Sequence, residues 1–438
     1  MAPEEKRVRK SLRLSFFDGI FASAMIGFTQ EYFSPFLISI GATVRQISLL
    51  SAAPNLIASL VQIKSADAAE WFGSRMSVLN IFVLLQALTL IPVALLSLSE
   101  QEHVYLFIAC VTLFVSFGAF ATPAWGSMMS DLVPKDKRGE YFGWRTMVLG
   151  FTTLAAMFTA GFIIQHTRPV SPSLGFALIF GSAGVFRLIS WSFLRRMYDP
   201  PLSRTNHKEF TFLRFLSGIR KDSFARFVAS VSLMNFSVNL AAPFFAVLMI
   251  RDLGFSYLTY TVLIITASLT VYLTIGRWGK HADRVGNIKV IRSTSRLITL
   301  LPLLWVCNQN PLFLIGAQIF SGLLWAGFNL SASNFIYDAA PSENRTRSIA
   351  YFNVINGFAV FSGALLGGFL VEQLPPLMGN RIFTIFLLSS VLRISVYFLF
   401  ITRLQEVRPV TKVGSMDLFF SIIGIRPLLG IERKTIRL

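Results

Sequence analysis

The chain has 438 residues, of which 54% are hydrophobic and only 14% charged, against about a quarter charged in soluble domains. That balance excludes an ordinary soluble fold and points to an integral membrane protein. The formal net charge of +18 invites a nucleic-acid reading, but the basic residues are spread over short gaps between apolar runs, without a basic face that carries base-reading or stacking groups, so nucleic acid is not expected as a partner.

A basic tail, residues 1–14 with KRVRKSLR, opens the chain. The apolar run behind it, near 15–40, is longer than the roughly 7–15 residues of a secretory signal core and has no small-residue cleavage site after it, so it reads as a retained helix. Further runs near 46–63, 76–98, 104–130, 141–165, 174–194, 226–250, 257–278, 289–307, 312–336, 346–371 and 382–402 are each close to the ~20 residues that cross a bilayer. Hydrocarbon cannot satisfy main-chain groups, so all twelve are predicted helices. Between the sixth and seventh, residues 195–225 gain proline, charge and an amphipathic stretch and read as a cytoplasmic linker, part of which lies on the inner leaflet. The tail 406–438, with MDLFFSIIGIRPLLGI, has the same character. Nearly all Lys and Arg fall in the two tails and the gaps on their side of the membrane, which places both termini in the cytoplasm and brings anionic inner-leaflet lipids into contact with them. The predicted location is a plasma membrane or bacterial inner membrane. Cys110 and Cys307 fall in or at the end of apolar runs and build neither a disulfide framework nor a thiol-metal motif.

Three matches show that the chain is built twice. FTQEYFSPF (28–36) aligns with FSVNLAAPF (236–244), DLVPKDKR (131–138) with DAAPSENR (338–345), and VFRLIS with VLRIS through Arg187 and Arg393, all at a nearly constant interval. The expected architecture is therefore all-α, with a six-helix bundle over 15–194 and a pseudo-symmetric one over 226–405.

Twelve spans in two sixes around a long central loop resemble the major facilitator superfamily of secondary transporters. The loop GKHADRVGNIK (279–289) is similar to that family's GxxxDRxG signature, with Gly279, Asp283, Arg284 and Gly286 in register. The matching first-half loop ADAAEWFGSR keeps Gly73 and Arg75 but has Glu70 and Trp71 where the signature has Asp and Arg. The resemblance implies the facilitator fold, and a gating role for these loop residues and for Asp131, Arg138, Asp338 and Arg345. An Asp near a helix N-terminus meets the positive end of the dipole, and Arg offers several donors, so such contacts can hold one conformation and release in another.

Polar residues inside spans need a reason, because an ionisable group at a helix centre costs about 2.5–3.5 kcal/mol on insertion scales. Glu31 is the one acidic residue read deep in a span, sharing a helical face with Gly27 and Pro35. The duplicated helix places Asn235 and Asn239 at equivalent points. The resemblance implies that the first, fourth, seventh and tenth spans line the central cavity. Gln30, Glu31, Thr122, Trp125, Asn235, Asn239, Asn329 and Asn334 are thus candidate substrate-cavity groups, with Asn353 and Asn356 on span 11 and Arg145 on span 5. For an amide, a helix–helix hydrogen bond is the plainer reading. Arg145, one turn into span 5, either contacts an anionic substrate or snorkels to the cytoplasmic edge, and Arg187 and Arg393, at matching points near cytoplasmic ends, are expected to be structural. All four His lie outside the predicted spans, the Met residues read as packing, and no nucleotide loop, HExxH or GxSxG occurs, so no cofactor or metal is expected and no enzymatic role. The reading is an alternating-access transporter of a small organic solute, monomeric, coupled to protons through Glu31 and leaning to uptake. A facilitative uniporter or an exporter of amphipathic compounds is the alternative. A non-transporting membrane sensor or scaffold is the rival from another class.

Overall fold

The computed structural model describes residues 3–99, 103–134, 138–200, 223–339, 345–407 and 422. Most of the predicted linker and tail lie outside these residues, as does the side chain of Arg345. The described residues are helical, with no strand beyond an isolated bridge between Leu377 and Asn380. Among the described residues, twelve helices are long and apolar enough to cross a membrane. Spans 1 to 6 are Lys6–Ser39, Val44–Gln62, Arg75–Leu98, Val104–Leu132, Glu140–Thr167 and Ser173–Leu194; spans 7 to 12 are Ser223–Asp252, Tyr257–Val285, Asn287–Cys307, Pro311–Ile336, Tyr351–Gln373 and Arg381–Arg403.

Spans 1 and 7 were expected as continuous helices, and both are broken. Span 1 runs to Thr29, turns, and resumes at Phe33. Span 7 runs to Asn239 and resumes at Ala242, ending in a π-helical turn over Leu248–Asp252. The duplicated prolines explain the shared position of the breaks. Pro35 and Pro243 have no N–H for the carbonyls four residues back, those of Glu31 and Asn239, and their rings crowd them. Span 9 repeats the device at Pro302, where the helix restarts at Leu301.

The chain separates into two compact units. The first holds Met1–Glu209, Val238–Ile265 and Asn353–Ile385. One of its cores is a set of interlocked rings, in which Phe33 and Phe36 of span 1 meet Phe107 of span 4 and Phe180 of span 6 at centroid separations of 4.6 to 6.2 Å. In this unit the two repeats touch: the Tyr32 hydroxyl donates to the main-chain oxygen of Met157 and shares a hydrogen bond with Thr261 at 2.9 Å, and Arg45 pairs with Glu372 at 2.6 Å.

The second unit holds Phe210–Ser237, Thr266–Phe352 and Phe386–Leu438. Its centre is Trp278, fully buried against Ala282, Val290 and Ala326, with its Nε1 donating to Leu323 O at 2.8 Å. Gly286, at φ +88°, sits between spans 8 and 9 in a conformation that a side chain resists.

At the ends of the spans nearest the termini, each repeat builds a similar lock. Arg75, only 2% exposed, donates to Asp131 at 2.6 Å and to Asp199 at 3.3 Å; Asp199 also accepts from the main-chain N–H of Met76 at 3.1 Å. In the second repeat Asn287 donates to Asp338 at 2.8 Å, and Glu406 accepts from the N–H of Ile288 at 2.8 Å. Asp199 and Glu406 thus satisfy first-turn donors of spans 3 and 9. Replacing Arg75 with Ala leaves two carboxylates without their shared cation. The expected loss is about 3 kcal/mol, the lower end for a broken buried pair, because Asp131 is half-exposed. A thermal unfolding midpoint in detergent measures it, and the exposed acid Asp283 replaced by Asn should leave that midpoint unchanged.

Candidate functional site

A cavity of about 230 Å³ lies within the first repeat. Its wall is set by helical periodicity: Asp18, Ala22 and Ile26 recur on one face of span 1, Gly118, Ala121, Thr122 and Trp125 on span 4, and Arg145 with Leu149 on span 5. Span 3 contributes Leu79 and Val83, and span 6 contributes Arg187 and Leu194. Small residues on spans 1 and 4 leave the space.

Through the wall runs a chain of polar contacts. Asp18 is 4% exposed, and its Oδ1 accepts from the Ser190 hydroxyl at 2.6 Å. Arg187 donates through Nη1 to Ser190 at 3.0 Å and through Nε to Gln86 Oε1 at 2.8 Å. Gln86 passes its own Nε2–H to the main-chain oxygen of Phe114 at 3.3 Å. Carboxylate and guanidinium are therefore joined through a hydroxyl, and the guanidinium has a neutral partner besides in Gln86. Arg145 enters from span 5. It stacks over Trp125 with 4.6 Å from Cζ to the ring centroid, within cation–π range, and donates through Nη2 to Ser15 O at 3.1 Å. Its Nε is buried without a partner.

Two glycines make room for these groups. A Cβ on Gly19 would lie 2.5 Å from Arg145 Nη2, and one on Gly118 would collide with Gln86 Nε2.

The structure brings Thr122, Trp125 and Arg145 together and adds Asp18 and Arg187. Asp18 is a membrane-embedded acid that the sequence reading passed over, since it stands near the start of the first apolar run. Arg187 and Arg393 were expected to be structural, near the cytoplasmic ends of their spans. Arg187 faces the cavity, and Arg393, 2% exposed, donates to Ser389 and to Ile298 O, each at 3.1 Å. The signal was present: a serine three residues after Arg187, and another four before Arg393, shares its helical face.

The other candidates do not line this cavity. Gln30 is exposed in the span 1 break. Glu31 lies beside it, its main-chain oxygen accepting from the Tyr260 hydroxyl at 2.9 Å. Among the described residues no hydrogen bond or ion pair reaches the Glu31 carboxylate. Asn353 donates to Gln62 at 3.5 Å, the helix–helix bond that is the plainer reading of an amide. Asn235, Asn239 and Asn356 also have interaction partners, Asn329 is exposed and Asn334 half-buried. Of the loop residues, Asp131 and Asp338 are in the locks above, and Arg138 donates to Ser130 O and Val133 O. Gly279 is half-buried, while Asp283 and Arg284 are exposed. His166 and His281, expected outside the spans, fall in the last turns of spans 5 and 8.

Twelve spanning helices built as two related sixes, with a charged cavity inside one of them, define a membrane transporter fold. The sequence model of the Major Facilitator Superfamily matches residues 19–238 and 227–432, and the chain belongs to that family. Among solved structures it is similar to the nucleoside transporter NupG, at 15% identity over 91% of this chain and 99% of that one, TM-score 0.67. It is also similar to a D-xylose-proton symporter, at 13% identity over 92% and 100%, TM-score 0.70. A bacterial homologue of the human lysosomal transporter Spinster matches at 13% identity over 92% and 98%, TM-score 0.63. No curated protein sequence matches.

The contact between Gly118 and Gln86 can be tested by itself. Gly118→Ala should destabilise by about 1–3 kcal/mol through overpacking, and by markedly less when Gln86 is already Ala, a coupling that a double-mutant cycle of unfolding midpoints reads directly.

Proposed function

We propose that the protein is an alternating-access secondary transporter of a small organic solute, coupled to protons and working in the direction of uptake. The observation that carries this reading is the cavity of the first repeat, where a buried carboxyl, Asp18, is joined through Ser190 to a guanidinium and faces a space that a solute can occupy. A proton on Asp18 weakens its hold on Ser190 and Arg187 and frees those donors. One bound proton and one bound solute can thereby depend on each other. The similarity to a proton symporter of D-xylose fits this scheme.

Glu31, the acid read from the sequence, is the second coupling candidate. Its main chain is held by Tyr260 where the repeats touch, so charge on its carboxyl would bias that contact. Gating by Gly279, Asp283, Arg284, Gly286, Asp131, Arg138, Asp338 and Arg345 belongs to the same proposal, supported by the parallel locks on Asp131 and Asp338.

A panel of metabolites screened by thermal shift identifies a solute that binds the purified protein, and proteoliposomes then show whether it is exchanged. Binding without counterflow would favour the sensor or scaffold. With that solute, Asp18→Asn should retain counterflow and lose accumulation driven by a proton gradient. If Asp18→Asn accumulates normally and Glu31→Gln does not, coupling belongs to Glu31; normal accumulation in both makes the protein a uniporter.

Both termini are placed in the cytoplasm on the strength of the basic tails. Cys307, exposed at the end of span 9 while Cys110 is buried, is a native reporter of this orientation. An impermeant maleimide applied to intact cells should label Cys307 from outside, and labelling only after permeabilisation would reverse the topology.

A further inference from the structure

The cavity carries unequal charge. Asp18 faces two guanidiniums, those of Arg187 and Arg145, and no second acidic residue lines the space. The two cations are not equivalent. Arg187 is engaged along its length, by Gln86 at Nε and by Ser190 at Nη1, and Ser190 leads on to Asp18. That chain balances one positive against one negative charge. Arg145 is the remainder. Its contacts are the main-chain oxygen of Ser15, the face of Trp125 and the side chain of Tyr141, all uncharged, and Asp18 lies close enough to attract it without pairing with it. Among the described residues no carboxylate pairs with it, and its Nε has no acceptor. A guanidinium among helices with donors left over is costly until an anion meets it.

What surrounds Arg145 narrows the anion. Leu149, Ile26, Leu79, Val83 and the ring of Trp125 give the cavity an apolar wall, which suits a hydrocarbon or aromatic body and repels a fully hydrated ion. The planar fork of an arginine matches a carboxylate bidentately. One negative charge brings the cluster to neutrality. A second would leave it unbalanced in the opposite sense, and a cation would add to the excess.

On the reading that this cavity is the transport site, we infer that the substrate is a small organic monoanion, a carboxylate seated on Arg145 with its apolar body against Trp125 and the aliphatic wall. Arg145 is then the residue that selects for charge, and the Asp18–Ser190–Arg187 chain holds its own balance beside it.

Matched acid and amide pairs test the assignment on the purified full-length protein. Benzoate with benzamide and nicotinate with nicotinamide differ in charge at nearly constant shape; phenyl phosphate and benzylamine supply the dianion and the cation. Thermal shift and calorimetric titration should show the monoanions binding at least about tenfold more tightly than their amides, since a charge-assisted hydrogen bond is lost with the charge. Arg145→Gln should abolish that preference, and Arg145→Lys should restore part of it by keeping the charge without the fork. Unfolding midpoints without ligand establish that both variants are folded. Amides binding as tightly as acids, a preference that survives Arg145→Gln, or no binding by either monoanion would overturn the assignment. Counterflow separates the two levels: a neutral or cationic solute exchanged in proteoliposomes refutes the substrate class and leaves the transporter reading intact, whereas a monoanion that binds through Arg145 but is never exchanged upholds the site and refutes transport through it.

Discussion

Inside a bilayer, a main-chain carbonyl that loses its helical partner has no water to turn to, and proline creates such carbonyls wherever it interrupts a span. Two of them show how this constraint organises the molecule. Pro35 frees the oxygen of Glu31, and the Tyr260 hydroxyl from the other repeat takes it. Pro302 frees the oxygen of Ile298, and the guanidinium of Arg393 takes it. In both places a local defect in one helix becomes a specific contact with another. Hydrophobic burial does not drive helices together in lipid as it does in water, so satisfaction of such groups and close packing carry more of the specificity.

The same constraint governs the side chains. Serines and threonines along the spans mostly return their hydroxyls to the carbonyl three or four residues back, as Thr29, Thr112 and Ser237 do. The exceptions are informative. Ser190 gives its proton to Asp18, and Ser389 gives its own to Ser237 O on span 7. Arg187 and Arg393 are each held by neutral partners, Gln86 and Ser190 for the first and Ser389 and Ile298 O for the second, so a bare ion pair is replaced by a series of hydrogen bonds. The repeats have diverged within this common plan. Arg187 and Arg393 occupy equivalent points, but only the first has an acid within its network. The residue equivalent to Asp18, by the alignment of FTQEYFSPF with FSVNLAAPF, is Arg226. The buried acid Asp18 of the first six helices has no acidic counterpart at the equivalent point of the second six.

Much of the fold was legible because the signals are collective. Spanning length and the doubled motifs each rest on many residues, and the resemblance to the family rested on that topology together with the GKHADRVGNIK loop. The site was less legible because it rests on pairs brought together across helices. Thr122, Trp125 and Arg145 could be picked out as polar or aromatic groups within spans, but nothing in a linear sequence says that Arg145 crosses Gly19 to reach Ser15, or that Arg187 turns inward to Gln86 and Ser190. Asp18 was missed for a related reason: close to a basic tail, an acid reads as part of the membrane rim, and only the packing of spans 1 and 6 buries it. The breaks in spans 1 and 7 could have been read from Pro35 and Pro243, since each residue's effect on the helix is local and the motif occurs twice.

The unequal charge of the cavity also bears on how the molecule responds to voltage. A site with two guanidiniums and one carboxylate carries one positive charge, a site filled by one anion is neutral, and a site that holds that anion together with a proton on Asp18 carries one positive charge again. Moving an elementary charge across the full potential is worth about 2.3 kcal/mol per 100 mV. On the proposed coupling, in which a proton on Asp18 and one anion load the site together, the loaded and the empty cluster carry the same charge, so both halves of the proposed cycle feel the potential alike. A potential that favours one crossing opposes the other, so it alters the rates of the two steps and adds no net drive to one proton moving with one anion.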